Sequence, residues 1–242
     1  MITRTIRLGE RELAYTLDRS ARRRTIGLKV GPDGLSVVLP QRASASEADR
    51  AVRARAGWIL DRLDKQARRV IAPPLQGVDG EKIGWLGGVL TLRVTPHDRA
   101  RTALTRDGDY LDVRVDAGLE PSLCAATIRR ALSRWRREQA LALMAPKVAG
   151  YAQALSAPRP TVRVREQASR WGSCSADGSI RMNARLIGYD EALIDYVCAH
   201  EACHLLEMNH SRRFYSLLDQ IMPDHRARRT RLRETDPPGV AY

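Results

Sequence analysis

Apolar and polar residues alternate along Thr3–Leu8 and again along Glu12–Asp18, on either side of Gly9-Glu10, and this period of two around a turn predicts a β-hairpin. Thr25–Val30 and Leu35–Leu39 repeat the pattern around the turn-forming stretch Gly31-Pro32-Asp33-Gly34. The period then changes. Val52, Ile59 and Leu63 recur at helical spacing behind Ser46, read as the helix cap, and Pro73-Pro74 ends the connection after it. A second β-stretch follows in Lys82–Leu86, Val89–Val94 and Tyr110–Val115, punctuated by Gly87-Gly88 and Asp107-Gly108. From Pro121 a long helix is predicted, with Ile128, Leu132 and Trp135 on one face, Arg129, Arg130, Arg134, Arg136 and Arg137 around the rest, and Pro146 expected to kink or end it. Beyond Pro160, Thr161–Val164 and Ile180–Leu186 predict strands, the second entered through Asp177-Gly178. Asp190 then caps a helix on which Leu193, Val197, His200 and His204 share one side. No internal repeat is visible. The expectation is an α+β chain: a β-rich region with one helix over residues 1–118, then a second domain over residues 119–242.

The length of 242 residues allows a real core, and 43% hydrophobic residues fit a globular protein. No apolar run approaches the roughly 20 residues that cross a bilayer, and Met1–Leu8 breaks every apolar pair with a polar residue, unlike a secretory signal. A cytoplasmic protein without membrane association is the expectation. Cys124, Cys174, Cys198 and Cys203 show no CxxC spacing, and Cys198 and Cys203 fall on different faces of their helix, so they read as small core residues in a reducing compartment. Lys+Arg 41 against Asp+Glu 28 gives a net charge of +13, which raises nucleic acid as a partner. Arginine is spread along the whole chain, however, and a basic solvated surface is the first reading of it, including the stretch Arg226–Arg233 behind His225.

The spacing that carries chemistry is His200-Glu-Ala-Cys-His204, an HExxH motif. Residues i and i+4 on a helix lie about 40° and 6 Å apart, so two imidazoles can converge on one zinc ion, while Glu201 stands beside the open coordination position as a general base. A chance match in a chain this long has odds on the order of one in a hundred, and three of the five histidines fall within His200–His210. A third ligand requires the chain to turn back. Asn209, read as a left-handed helix terminator, and Ser211, read as the cap of the next helix, free His210 to do so. The other acids considered for that place are Glu207, Asp219, Asp224 and Glu234, none in such a turn. Three protein ligands and an open position describe a catalytic zinc site.

Ser169-Arg-Trp-Gly-Ser-Cys174, Gly178–Leu186, Tyr196–Leu205, Asn209–Tyr215 and Pro223-Asp224 together resemble the YgjP-like zinc metallopeptidase family, a small relative of the SprT-like and WLM zincins. The amino-terminal half resembles it more loosely, through Arg22–Val30, Gly34–Pro40 and Trp58. The resemblance implies a small zincin-type catalytic domain behind a β-rich region, with Zn2+ held by His200, His204 and His210 and Glu201 as the catalyst acting on peptide or protein substrates. Ala202-Cys203 stands where a bulkier residue usually precedes the second histidine, and Tyr215 stands where tryptophan is usual. Arg170, Arg181 and Asn183, in a hairpin beside the helix, are read either as contacts to a bound peptide or as structural residues. Two alternative functions follow: a protease acting on nucleic-acid-bound or crosslinked proteins, suggested by the relatives and the charge, and a non-catalytic zinc-stapled basic module with Cys203 as fourth ligand. The pattern does not define an oligomeric state.

Overall fold

The structure is a computed structural model that describes residues 2–31, 33–68, 75–98, 101–167 and 170–235. Pro32, Pro73-Pro74 and Ser169, each used above, lie outside the described residues. The alternating segments form strands as expected, and the chain is α+β. Contacts divide it into two compact units, Met1–Ile71 and Ala72–Tyr242, whereas the sequence suggested a division near Gly118. Gly118 lies where the chain leaves its second sheet for the long helix that packs on that sheet.

In the first unit β1 (Ile2–Leu8), β2 (Arg11–Ser20), β3 (Gly27–Gly31) and β4 (Gly34–Pro40) form one sheet in the order β1-β2-β4-β3, with β2 and β4 parallel and the outer pairs antiparallel. Its inward positions Ile6, Tyr15, Leu17, Leu35, Val37 and Leu39 bury Ala48, Val52 and Ile59 of two following helices, α1 (Ala45–Ala54) and α2 (Ala56–Arg68). The single helix expected here is broken at Arg55. Its cap is Ser44 rather than Ser46: the Ser44 hydroxyl accepts from Glu47 N–H, and the Glu47 carboxylate reaches back to the Ser44 N–H, a closed capping box.

The second unit begins with β5 (Lys82–Trp85), β6 (Gly88–His97), β7 (Ala103–Asp107) and β8 (Tyr110–Asp116). Their order, β5-β6-β8-β7, and their senses repeat those of the first sheet. The chain therefore contains a repeat of topology without a repeat of sequence. Helix α3 (Pro121–Ala154) packs Ile128, Leu132 and Trp135 onto this sheet and continues unbroken through Pro146. Proline in a helix interior costs about 3 kcal/mol, and here Met144 and Val148 on either side of it are fully buried against the second half of the unit, which holds the helix together.

That second half is a three-stranded sheet and three helices. β9 (Thr161–Arg165) lies parallel to β11 (Ser179–Asn183), and β10 (Gly172–Cys174) pairs antiparallel with β11 as a sheet edge. The Ile180–Leu186 segment is strand only to Asn183, after which Ala184–Gly188 forms a 3-10 turn. Helix α4 (Glu191–Cys203) follows, then α5 (Arg212–Ile221) and α6 (His225–Glu234).

The start of α4 is fixed from several directions. The Asp190 carboxylate accepts from Leu193 N–H and is paired with Arg231 of α6, while Lys147 of α3 bridges Glu191 at 3.1 Å and Asp195 at 2.9 Å. The β5–β6 hairpin also presses on it. Leu86 and Gly87, rather than Gly87-Gly88, are the turn residues, with φ of 45° and 82° as a type I′ turn requires. Their N–H groups donate to Ile187 at 2.7 Å and Gly188 at 3.2 Å. A Cβ on Gly87 would lie 2.9 Å from the Asp190 Cβ. Gly87→Ala should therefore both strain the turn and push on the helix cap, lowering stability by about 2 kcal/mol. A urea melt showing wild-type stability would remove this hairpin from the support of α4.

Candidate metal centre

HExxH occupies the last turn of α4, with His200 and Glu201 inside the helix and His204 at its C-cap. The apolar residues of this helix, Leu193, Ile194, Val197, Cys198 and Ala199, are buried, so the helix is held from all sides and its last turn is placed rigidly. The chain then tightens and reverses. His204 is in the right-handed helical region, the N–H groups of Leu205 and Leu206 donate to Ala202 and Cys203, and Asn209 is not among the non-glycine residues with positive φ. A tightened last turn ends this helix, not the left-handed Asn209 expected from the sequence. Ser211 does cap α5, its hydroxyl accepting from Phe214 N–H at 3.3 Å.

This reversal returns His210 to the helix. The ligand atoms of His200, His204 and His210 all lie within 4.8 Å of one another, and among the described residues they are the set of three or more His, Cys, Asp or Glu that could hold a metal ion. Their ring centroids are 4.8–5.0 Å apart. The chain's one phenylalanine, Phe214, is fully buried behind them, with its ring 4.6–4.9 Å from each imidazole. His204 Nδ1 lies 3.0 Å from the Glu207 carbonyl, an N–H donor arrangement that leaves Nε2 with its lone pair towards the cluster. His200 Nε2 and His210 Nε2 face each other at 3.0 Å, two lone-pair atoms that a shared cation satisfies. Burial and the two neighbouring histidines hold His200 down to about 3, and burial also lowers His204, so both rings are neutral, as metal ligands must be. The donor set and its charge state fit a divalent metal of the zinc type.

Glu201 points into the same cleft. It is 5% exposed, burial pushes its carboxyl up to about 8, and its Oε2 has no hydrogen-bond partner among the described residues. Edge strand β10 forms the opposite wall, and the cleft, about 240 Å³, is lined by Gly172, Ser173, Cys174, His200, Glu201, His204, Met208 and His210. A Cβ on Gly172 would fall 2.6 Å from both Cγ and Oε1 of Glu201. Gly172 is thus the residue that lets β10 lie against the carboxylate. Sequence reasoning read this hairpin but missed Gly172, whose place against Glu201 depends on contact between distant segments, and it did not assign Met208 to the cleft wall or Phe214 to the floor under the histidines.

The remaining candidates separate clearly. Asn183 is structural: its Nδ2 donates to Gln167 and Arg170 carbonyls at 2.8 and 2.7 Å, and its Oδ1 accepts from Arg185 N–H. Arg170 and Arg181 are exposed near the cleft. Asp219 is bonded to His225 at 3.0 Å, Asp224 to Arg228 at 2.8 Å, and the Glu207 carboxylate to the Asn209 N–H, while Glu234 ends α6 on the surface. His225, expected at the head of a solvated helix face, is 1% exposed and stacked under Tyr215. Cys203 is buried and outside the histidine cluster.

Residues 24–235 match the family described as YgjP-like metallopeptidase domain. No curated protein matches the chain significantly. A solved structure similar to part of it is the metallopeptidase zymogen of Pyrococcus abyssi abylysin, 19% identical at a TM-score of 0.35, covering 37% of this chain and 91% of that one.

The shifts of His200 and Glu201 make opposing contributions to stability once metal is stripped. His200, lowered from 6.5 to about 3, binds fewer protons folded than unfolded, so stability rises with pH across that interval. Glu201, raised from 4.5 to about 8, binds more protons folded, so stability falls with pH from 4.5 to about 8. Above 6.5 only the Glu201 contribution remains. Denaturant melts of the chelated protein should show stability rising from acid pH, no net fall before about 6.5, and a fall from there to about 8. Loss of that falling limb in Glu201→Gln would assign it; a continued rise to pH 8 in the wild type would contradict the burial of the carboxyl.

Proposed function

The chain belongs to the YgjP-like metallopeptidase family, and on that footing we propose that it is a zinc peptidase in which His200, His204 and His210 hold the metal and Glu201 is the general base and acid. The observation that carries this reading is the convergence of three imidazoles next to a buried carboxyl whose Oε2 lacks a partner among the described residues. Zinc bound there supplies a dication that polarises the scissile carbonyl, acidifies the attacking water and returns Glu201 to its carboxylate form.

The chain's own residues do the rest. Glu201 Oε2 takes a proton from the attacking water as its oxygen bonds to the carbonyl carbon. The same atom then gives that proton to the amide nitrogen, so the C–N bond breaks to leave a carboxylic acid and an amine. The Glu207 carbonyl holds the His204 ring in the tautomer that presents Nε2. Gly172 keeps Glu201 free of a colliding side chain and gives β10, a sheet edge, room to lie alongside a bound extended peptide. A zinc staple with Cys203 as fourth ligand finds no support, since that thiol is buried away from the three histidines.

Metal analysis after dialysis should give one zinc per chain. Glu201→Gln should keep the zinc and lose roughly two to four orders of magnitude in peptide cleavage. Full activity in that variant would remove its role as base. His210→Ala should bind zinc far more weakly, whereas Asp219→Asn and Glu207→Gln should keep it. Wild-type zinc affinity in His210→Ala, with loss in Asp219→Asn, would transfer the third ligand to the carboxylate. Gly172→Ala should retain zinc and lose activity, because the added methyl falls on the Glu201 carboxyl rather than on a ligand.

A further inference from the structure

The arginines that make the chain basic differ in their partners among the described residues. On α6, Arg226 faces Asp219 at 3.7 Å, Arg228 bonds Asp224 and the Ala192 carbonyl, Arg229 donates to the Tyr215 hydroxyl and Arg231 pairs with Asp190. On α3, Arg129 donates to the Gln76 carbonyl, Arg134 faces Glu138 and Arg137 donates to Ser133. The α6 arginines and Arg129 tie their helices to their surroundings, while Arg134 and Arg137 are partnered within α3.

The solvent face of the three-stranded sheet differs. Arg163 and Arg165 of β9 and Arg181 of β11 are exposed, and none has an ion pair or side-chain hydrogen bond among the described residues. Arg181 is the cross-strand partner of Ser173, which lines the cleft, and Arg163 is the partner of Arg181 on the far side. Ser173, Arg181 and Arg163 therefore form one row that starts at the cleft wall and crosses the sheet. Like charges opposite one another in a sheet are destabilising. Asp177, in the turn between β10 and β11, is satisfied by the Ser179 N–H at 3.0 Å and hydroxyl at 2.7 Å.

We propose that this arginine row binds acidic segments of the polypeptide substrate, so that the peptidase selects chains carrying Asp or Glu beside the bond it cleaves. The proposal rests on the peptidase reading above. Ser173, Arg181 and Arg163 lie on the sheet face that alternates with Gly172, so a peptide paired with edge strand β10 turns every second side chain towards the row, and the anions such a chain carries are carboxylates. Guanidinium groups match carboxylates with two parallel N–H donors.

The test uses zinc-loaded Glu201→Gln protein, fluorescence anisotropy and three probes: a short peptide with glutamate at alternate positions, the same peptide with glutamine, and a single-stranded oligodeoxynucleotide of similar length. The glutamate peptide should bind more tightly than the glutamine peptide, and the difference should shrink as salt rises from about 50 to 300 mM. Adding Arg163→Gln and Arg181→Gln should weaken the glutamate peptide roughly tenfold and leave the glutamine peptide unchanged. The melting temperature of the variant should not fall, because a like-charge contact has been removed; a merely structural pair would lower it. Equal binding of the two peptides, or no effect of the arginine changes, overturns the proposal. Tighter binding of the oligonucleotide, lost in the variant, overturns it in favour of nucleic acid. Cleavage of the glutamine peptide by the zinc-loaded wild type is scored separately: its absence counts against the peptidase reading, while the binding comparison still decides the arginine row.

Discussion

Three imidazoles from two segments meet at one point because one aromatic ring lies behind all of them. Phe214 is 0% exposed and within 4.9 Å of every imidazole centroid, so it sets the floor on which the histidines converge. Much of the second unit serves that arrangement. Asp190 and Lys147 fix the start of α4, the tightened turn after Cys203 reverses the chain, and Ser211 begins α5 at the register that carries Phe214 under the site. Apolar packing on one side of the rings excludes water and leaves their lone pairs facing the cleft. The polar partners of the rings are few, which is why burial dominates the lowered affinity of His200 for a proton.

Local signals made a large part of this legible in the sequence. HExxH, the Asp190 cap and the Ser211 cap each involve residues within four positions of one another, and the structure places α4 and α5 where those signals put them. The strands of both four-stranded sheets, β7 excepted, follow from alternation. β7, Ala-Leu-Thr-Arg-Asp, escaped because it is an edge strand whose residues are exposed apart from the half-buried Leu104 and so carries no apolar period. Pro146 misled because its cost is local, whereas the packing of Met144 and Val148 that overcomes it is not. The repeated sheet order was hidden for a related reason: the parallel β2–β4 and β6–β8 pairings join hairpins that are separate in the chain, and no local signal marks them.

What the sequence could not give is the juxtaposition of β10 with α4. Gly172 and Glu201 are distant in the chain, and only the fold shows that the absence of a side chain at one is the condition for the carboxylate at the other. Charge had the same limit. As a composition, +13 invites a nucleic-acid reading; in the structure, arginines of α6 bond to neighbouring elements, whereas Arg163, Arg165 and Arg181 have no ion pair among the described residues. The buried His225, bonded to Asp219 and stacked under Tyr215, likewise turns an apparently solvated basic segment into part of the support of α5.

We propose that the three histidines, and no thiol or carboxylate of the chain, hold zinc. X-ray absorption at the zinc edge of the loaded protein reads that shell directly. Three imidazole nitrogens at about 2.0–2.1 Å and one further light atom from solvent, with no sulfur, are expected. A zinc–sulfur distance near 2.3 Å, which would bring Cys174 or Cys203 into the shell, or fewer than three imidazoles, would contradict it.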